Sequence, residues 1–226
     1  MKLNFNEDLQ QIEQTIAEVK ESSQVYKNSL MEWIKEESKD IHMAWSLKRT
    51  PGISQYLKQL TAWTNKMTPS ILFDSTVDAP TSLFEKIRDK GNIMTVVETD
   101  GGNVFGSYHS VLPTKPSEWV VKDPNHFVFT LKNPFNGGVN ASQKFTPIRP
   151  DCYPLWIYKS GNALFCVQYF CHVSNNKQCY INSKEWSGKA FEEIYNDVSG
   201  KGGKLFTKTV YPARFGLKRF VCLSWK

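Results

Sequence analysis

The stretch NIMTVVETDGGNVFGSYHSV, Asn92 to Val111, decides the fold class. Asn92 to Glu98 is β-branched and apolar, and Asn103 to Val111 alternates in polarity, the period-two pattern of a half-buried strand. Asp100-Gly101-Gly102 lies between them. Glycine reaches positive φ without a Cβ clash, so the tripeptide predicts a tight hairpin turn. Gly106 falls inside the second strand, where a missing side chain predicts close backbone packing or a bulge.

The same style continues toward the C-terminus. His126 to Leu131 reads HFVFTL with Phe127, Phe129 and Leu131 on one side, and Leu155 to Tyr158, Ala163 to Val173 and Leu217 to Trp225 follow. On the N-terminal side, Ser82 is a candidate cap for a helical turn whose Leu83, Phe84 and Ile87 share a face. Short strands separated by Gly, Asn and Pro clusters, with few long helices between them, predict an antiparallel two-sheet β-sandwich.

The first fifty residues have another character. Leu9, Ile12, Ile16, Val19, Ser23, Tyr26, Leu30 and Trp33 fall at steps of three and four, the a/d pattern of a heptad repeat. No Gly or Pro precedes Pro51, so a continuous helix from about Glu7 to Lys39 is expected. Glu13, Glu18, Lys20 and Lys27 flank the seam, and Ser23 weakens it while helping to set the register. A stripe this narrow suits pairing with one other helix, in a parallel or antiparallel homodimer. The alternative is a helix folded back on its own C-terminal domain or on the helix that follows. Pro51-Gly52 marks a break, after which Ile53, Tyr56, Leu57, Leu60 and Trp63 keep a helical period. The chain therefore reads as α+β: a long helix over 1–50, a second short helix and linker over 51–61, and a sandwich with a few short helices over 62–226.

Hydrophobic residues make up 40% of the 226, with seven Trp, nine Tyr and fourteen Phe, a composition that excludes a disordered chain. No run approaches the ~18 apolar residues of a membrane span, and the acidic, polar start is unlike a signal peptide. A soluble intracellular protein of the cytoplasm or nucleus is expected. The five cysteines, Cys152, Cys166, Cys171, Cys179 and Cys222, are odd in number and confined to the last third, which predicts reduced thiols.

The net charge of +6 is unevenly spread. Met1 to Asp40 holds nine acids and five lysines, a net of −4, which leaves +10 for the rest. After Asp197 the charges are Lys201, Lys204, Lys208, Arg214, Lys218, Arg219 and Lys226, with no acid among them. Such a field either is a solvated basic face or meets an acidic partner, with Lys204, Lys208, Arg214, Lys218 and Arg219 as contact residues. Tyr211 and Phe215 lie among these bases as candidates for stacking on nucleic-acid bases or as core anchors.

Enzyme motifs are absent from the sequence: there is no Gly-x-Ser-x-Gly elbow, no phosphate loop ending in Gly-Lys-Ser/Thr and no His-Glu-x-x-His. Cys166, Cys171, His172 and Cys179 lack the Cys-x-x-Cys pairing of structural zinc, and adjacent Cys171 and His172 point to opposite faces of a strand. Buried small hydrophobes is the favoured reading of these thiols. Cys222 is a candidate redox thiol, because nearby Lys218 and Arg219 would lower its pKa. His109 with Glu98 and Asp100 is a candidate acid-base group or a polar edge. No catalytic residue, metal or cofactor is expected.

Three runs carry a resemblance. Ile71 to Ser110, ILFDSTVDAPTSLFEKIRDKGNIMTVVETDGGNVFGSYHS, has an apolar-aromatic-acid-Ser start, a helix containing Phe, an apolar strand and a Gly-Gly-x-x-Phe-Gly hairpin. With DPNHFVFTL at Asp123 to Leu131 and the closing FGLKRFVCLSWK, it resembles the TLDc (TBC/LysM-associated) domain of oxidation-resistance proteins. The resemblance covers most of Ala62 to Lys226, and Gly101, Gly102, Phe105 and Gly106 are its most specific element. A helical extension ahead of such a domain is similar to protist forms of the family. Two departures stand out: Asp151-Cys152-Tyr153-Pro154 replaces a glycine-rich run, and Lys218-Arg219 replaces an acid in the closing strand. The resemblance implies a two-sheet sandwich without settled catalysis, a part in resistance to oxidative stress, and binding of the vacuolar proton-pumping ATPase. The expected function is thus a non-enzymatic binding module that self-associates through its helix, with DNA binding through the basic C-terminal surface as the alternative.

Overall fold

The computed structural model describes residues 5–48, 53–135, 142–149 and 154–226, so the expected break at Pro51-Gly52 and the thiol Cys152 lie outside the described residues. Contacts divide the chain into two units, Met1–Trp45 and Ser46–Lys226. The described residues of the first lie in one helix, α1, Phe5–Lys48. It continues past Lys39 because nothing before Pro51 interrupts it. From Leu9 to Ile34 every side chain is exposed, including Leu9, Ile12, Ile16, Val19, Tyr26, Leu30 and Trp33.

The second unit begins with a 3₁₀ turn, Ser54–Tyr56, and α2, Leu57–Thr64, which ends at Asn65 in the left-handed region. In chain order its further elements are β1 (Pro69–Asp74), α3 (Leu83–Ile87), β2 (Ile93–Thr99), β3 (Val104–His109), β4 (Phe127–Lys132), β5 (Gln143–Phe145), β6 (Trp156–Ile157), β7 (Ala163–Val167), β8 (Cys171–Ser174), β9 (Tyr180–Ile181), α4 (Lys184–Ser187), α5 (Lys204–Thr207) and β10 (Leu217–Trp225). The strands form a six-stranded antiparallel sheet, β1-β10-β2-β3-β4-β5, and a four-stranded antiparallel sheet, β6-β7-β8-β9. The chain is thus mixed α+β with a long N-terminal helix.

The Asp100–Asn103 turn joins β2 to β3, with Gly102 at φ +76 and its N–H donating to Thr99 O at 2.8 Å. β2 and β3 pair without a bulge, and Gly106 sits opposite Val96. Gly106 meets a close approach, since a Cβ there would overlap the Thr95 carbonyl oxygen and stand 2.7 Å from the Phe129 ring. Two local expectations change. Ser82 makes no side-chain cap to α3, because its hydroxyl donates to Ala79 O at 2.8 Å instead. Ala163 to Val173 is not one strand but the β7–β8 hairpin, turned by Tyr169 at φ 61 with Phe170 N donating to Val167 O. A turn without Gly, Asn or Pro leaves no punctuation in the sequence.

Two apolar clusters hold this unit. Ile53, Tyr56 and Leu60 pack with Met94, Val96, Phe127, Phe129, Leu223 and Trp225 on one face of the six-stranded sheet. On the other, Phe73, Phe105 and Phe220 share a cluster with Phe165, Val167 and Phe170 of the small sheet. Phe165 stacks on Phe220 at 4.9 Å, and Phe73 meets the same ring at 5.6 Å. Phe220 is fully buried, so Phe220→Ala removes its burial and leaves a cavity between both neighbours. We expect thermal unfolding to show a loss of about 3–5 kcal/mol.

Candidate functional site: the outer face of the small sheet

Strand alternation sends Ile157, Phe165, Cys171, Val173 and Ile181 of the small sheet into the core. Their neighbours face the other way. Cross-strand register aligns Trp156 with Cys166, Cys166 with His172 and His172 with Tyr180, one row across four strands. All four are partly exposed. His172 stacks on Tyr180 at 5.0 Å and meets Tyr158 edge-on at 5.4 Å, while Trp156 packs against Trp119 at 5.3 Å. Trp119 is held there because Ser117 and Val120 donate backbone bonds to Ile157 and Leu155.

Loops extend the row beyond β9. Ser183 caps α4 by accepting from Trp186 N at 3.3 Å, which sets Trp186 against Tyr211 at 4.5 Å. Tyr211 packs against Tyr180 at 5.1 Å. Arg214 lies over both tyrosines, 4.5 Å from the Tyr180 ring and 4.9 Å from the Tyr211 ring, and donates to Gln178 O at 3.0 Å. The guanidinium is therefore held at the end of the aromatic row. Trp186 is 56% exposed, an unusual position for so large an apolar ring.

Electrostatics keep the row neutral except for Arg214. Burial, then the Arg214 charge, lower the His172 pKa from its ordinary value, so its ring is uncharged at neutral pH. Burial raises the phenol of Tyr158 to about 12 and the thiol of Cys166 to about 12. Cys166 is a poor nucleophile in this state.

The five basic candidates are not equivalent. Lys204, Lys208 and Arg214 are exposed, but Lys218 pairs with Glu98 at 2.6 Å and Arg219 with Asp74. Arg219 Nε also donates to Asp74 Oδ1 at 3.2 Å, and both side chains are largely buried. Arg219 thus serves the join between β1 and β10. Its removal would leave a buried carboxylate without its cation, and Arg219→Ala is expected to lower stability by about 3 kcal/mol in denaturant titration. Of the two aromatic candidates, Tyr211 joins the outer row, whereas Phe215 packs on Phe105 at 5.7 Å.

Cys222 is fully buried, and burial raises its thiol pKa. That is opposite to the direction expected from Lys218 and Arg219, which point elsewhere to Glu98 and Asp74. Cys171 and Cys179 are buried on the core side while Cys166 and His172 share the outer row, so the zinc candidates are divided between two faces. Glu98 and His109 sit at opposite ends of the β2–β3 pairing, and His109 is buried rather than on an edge.

His109 belongs to a buried polar network that sequence reading missed. It stacks on His126 at 4.8 Å, and its Nε2 lies 2.7 Å from Ser107 Oγ, itself 2.7 Å from Thr95 Oγ1. His126 donates from Nδ1 to Tyr108 O at 2.9 Å and accepts at Nε2 from the Tyr195 hydroxyl at 3.1 Å. Burial lowers the His126 pKa from 6.5 to about 4, and holds His109 well below its ordinary value. Both rings are neutral when folded and bind a proton more readily when unfolded. The stability they confer is complete above pH 6.5 and lost as pH falls toward 4. The melting temperature should fall across that window, with a shallower slope in His126→Gln.

The row leaves one trace in the sequence, large polar-edged aromatics alternating with aliphatics in Leu155 to Tyr158. Trp119, Trp186 and Arg214 are brought to it by loops and carried no pattern. No family model and no curated protein matches the chain.

Proposed function

We propose that the chain is a non-enzymatic, TLDc-like binding module, a two-sheet sandwich that self-associates through α1 and acts in the oxidative-stress response through protein contacts. The observation that carries this reading is the aromatic row that runs from Trp156, His172 and Tyr180 on an outward sheet face to Tyr211 and Trp186 beside it. A solvated sheet face is ordinarily polar, and clustered Trp, Tyr and Arg are the side chains that dominate binding energy in protein interfaces. The shared cluster around Phe165 and Phe220 supports the sandwich. The exposed heptad seam supports self-association, since each apolar side chain moved from water into a partner's seam contributes about 1.5–3 kcal/mol.

The resemblance suggests the vacuolar proton-pumping ATPase as partner, in the cytoplasm. A pull-down of the purified ATPase by the intact chain tests it. Retention is expected, and W186A/Y211A should weaken it about tenfold or more while leaving the circular dichroism unchanged. No retention at low ionic strength rejects this partner.

A second reading has its own observation. Arg214 over the Tyr180 and Tyr211 rings, near exposed Lys204 and Lys208 in sequence, suits bases stacked on rings with phosphates held by cations. It makes the chain a nucleic-acid-binding regulator active in the nucleus. Steeply salt-sensitive binding to a DNA pool, lost on neutralising Lys204, Lys208 and Arg214, favours it; no binding at low salt rejects it.

A further inference from the structure

The six-stranded sheet carries a cavity of about 640 Å³ on the face covered by α2, within the size range of small-molecule sites. Trp63 from the end of α2, Lys66 just after it, Lys144 of β5 and Arg149 beyond β5 all line it. Trp63 is partly exposed and braced by Phe127 at 6.4 Å and Phe129 at 5.6 Å. Lys144 Nζ stands 4.9 Å from the Phe127 ring centroid. Among the described residues, none of the three cations is in an ion pair.

The lining's one carboxylate is already engaged. Asp123 is buried and accepts from Ser110 N at 2.7 Å, Ser110 Oγ at 2.5 Å, Val111 N at 3.1 Å and Asn125 N at 3.1 Å. Its lone pairs are thus taken by its own loop, and its single charge leaves the three cations in excess. The imidazole at the floor is uncharged, because burial lowers the His126 pKa to about 4, and its two nitrogens are engaged by Tyr108 O and Tyr195. The chain after β5 is pinned by Ile148 N to Ile194 O at 2.7 Å and Asn196 N to Thr146 O at 2.9 Å, which sets the segment carrying Arg149. Net positive charge, a rigid floor and one open aromatic wall therefore converge on one concavity.

We infer that this cavity binds a small phosphorylated ligand with a planar ring, of nucleotide size, its phosphates on Lys66, Lys144 and Arg149 and its ring on Trp63. Three cations against one carboxylate leave an excess that suits a ligand with more than one negative charge, and a partly exposed indole takes a flat ring more readily than an aliphatic chain. The site is separate from the outer row of the small sheet and does not rest on the function proposed above.

Calorimetric titration of the intact chain with ATP, adenosine, pyrophosphate and a short single-stranded oligonucleotide tests it. ATP is expected to bind, with pyrophosphate and adenosine each at least about tenfold weaker. K144A/R149A should weaken ATP about tenfold or more without moving the melting temperature, because both side chains are exposed. W63F should retain pyrophosphate affinity. No ATP binding at millimolar concentration, ATP affinity unchanged in K144A/R149A, pyrophosphate as tight as ATP, or tighter binding of the oligonucleotide than of ATP would each overturn the assignment.

Discussion

Gly106→Val should leave little folded protein at 37 °C, and Gly106→Ala should cost at least about 3 kcal/mol in denaturant titration. The obstacle is backbone, not a flexible neighbour. A Cβ at this position would overlap the Thr95 carbonyl oxygen, and its third contact is the Thr95 carbonyl carbon at 2.9 Å. β2 and β3 would have to separate, and with them the pairing that runs from Ile93 opposite His109 to Glu98 opposite Val104. The Phe129 ring, 2.7 Å away on the other side, is fully buried and has nowhere to go. Gly91→Ala provides the control: nothing lies within 4 Å of a Cβ there, so stability should change by less than about 0.5 kcal/mol.

The second large effect concerns α1. The intact chain should scatter light as twice its 26.0 kDa mass, and I16D/V19D should reduce it to one chain. Ile16 and Val19 are adjacent seam positions and both are exposed in the single chain. A carboxylate placed in a paired seam would be desolvated without a cation, a cost of several kcal/mol per site. The melting transition of residues 46–226 should not move, because that unit has its own apolar clusters. A monomeric intact chain would reject the paired-helix reading, and an unaltered dimer in I16D/V19D would place the interface elsewhere.

How much of this was legible beforehand depended on whether a feature was local. The β2–β3 hairpin and β10 are written in contiguous β-branched and aromatic runs, and β10 occupies the span expected, Leu217–Trp225. Strands β5 and β9 are three and two residues long, too short for a period to appear. The turn at Tyr169 hid a hairpin because a tyrosine does not announce positive φ. Arg219 looked available to a partner only because Asp74, its acceptor, is 145 residues away in sequence. The outer row was hidden for the same reason: it joins one residue from each of four strands, and only the register of those strands reveals it.

These particulars alter the meaning of the basic C-terminal segment. Its charge is not one continuous field, since Lys218 and Arg219 are bound to carboxylates of the large sheet. Arg214 instead caps an aromatic surface. The chemistry on offer is therefore ring packing and cation–π contact more than bulk electrostatic attraction, and interface energy should concentrate in a few rings.

Footprinting of the whole chain by a photogenerated carbene, with and without the purified vacuolar ATPase, is the most direct measurement of the central claim. Protection is expected at Trp156, Tyr180, Trp186 and Tyr211. Protection confined to other surfaces, with these four rings labelled as strongly in the complex as in the free chain, would contradict it.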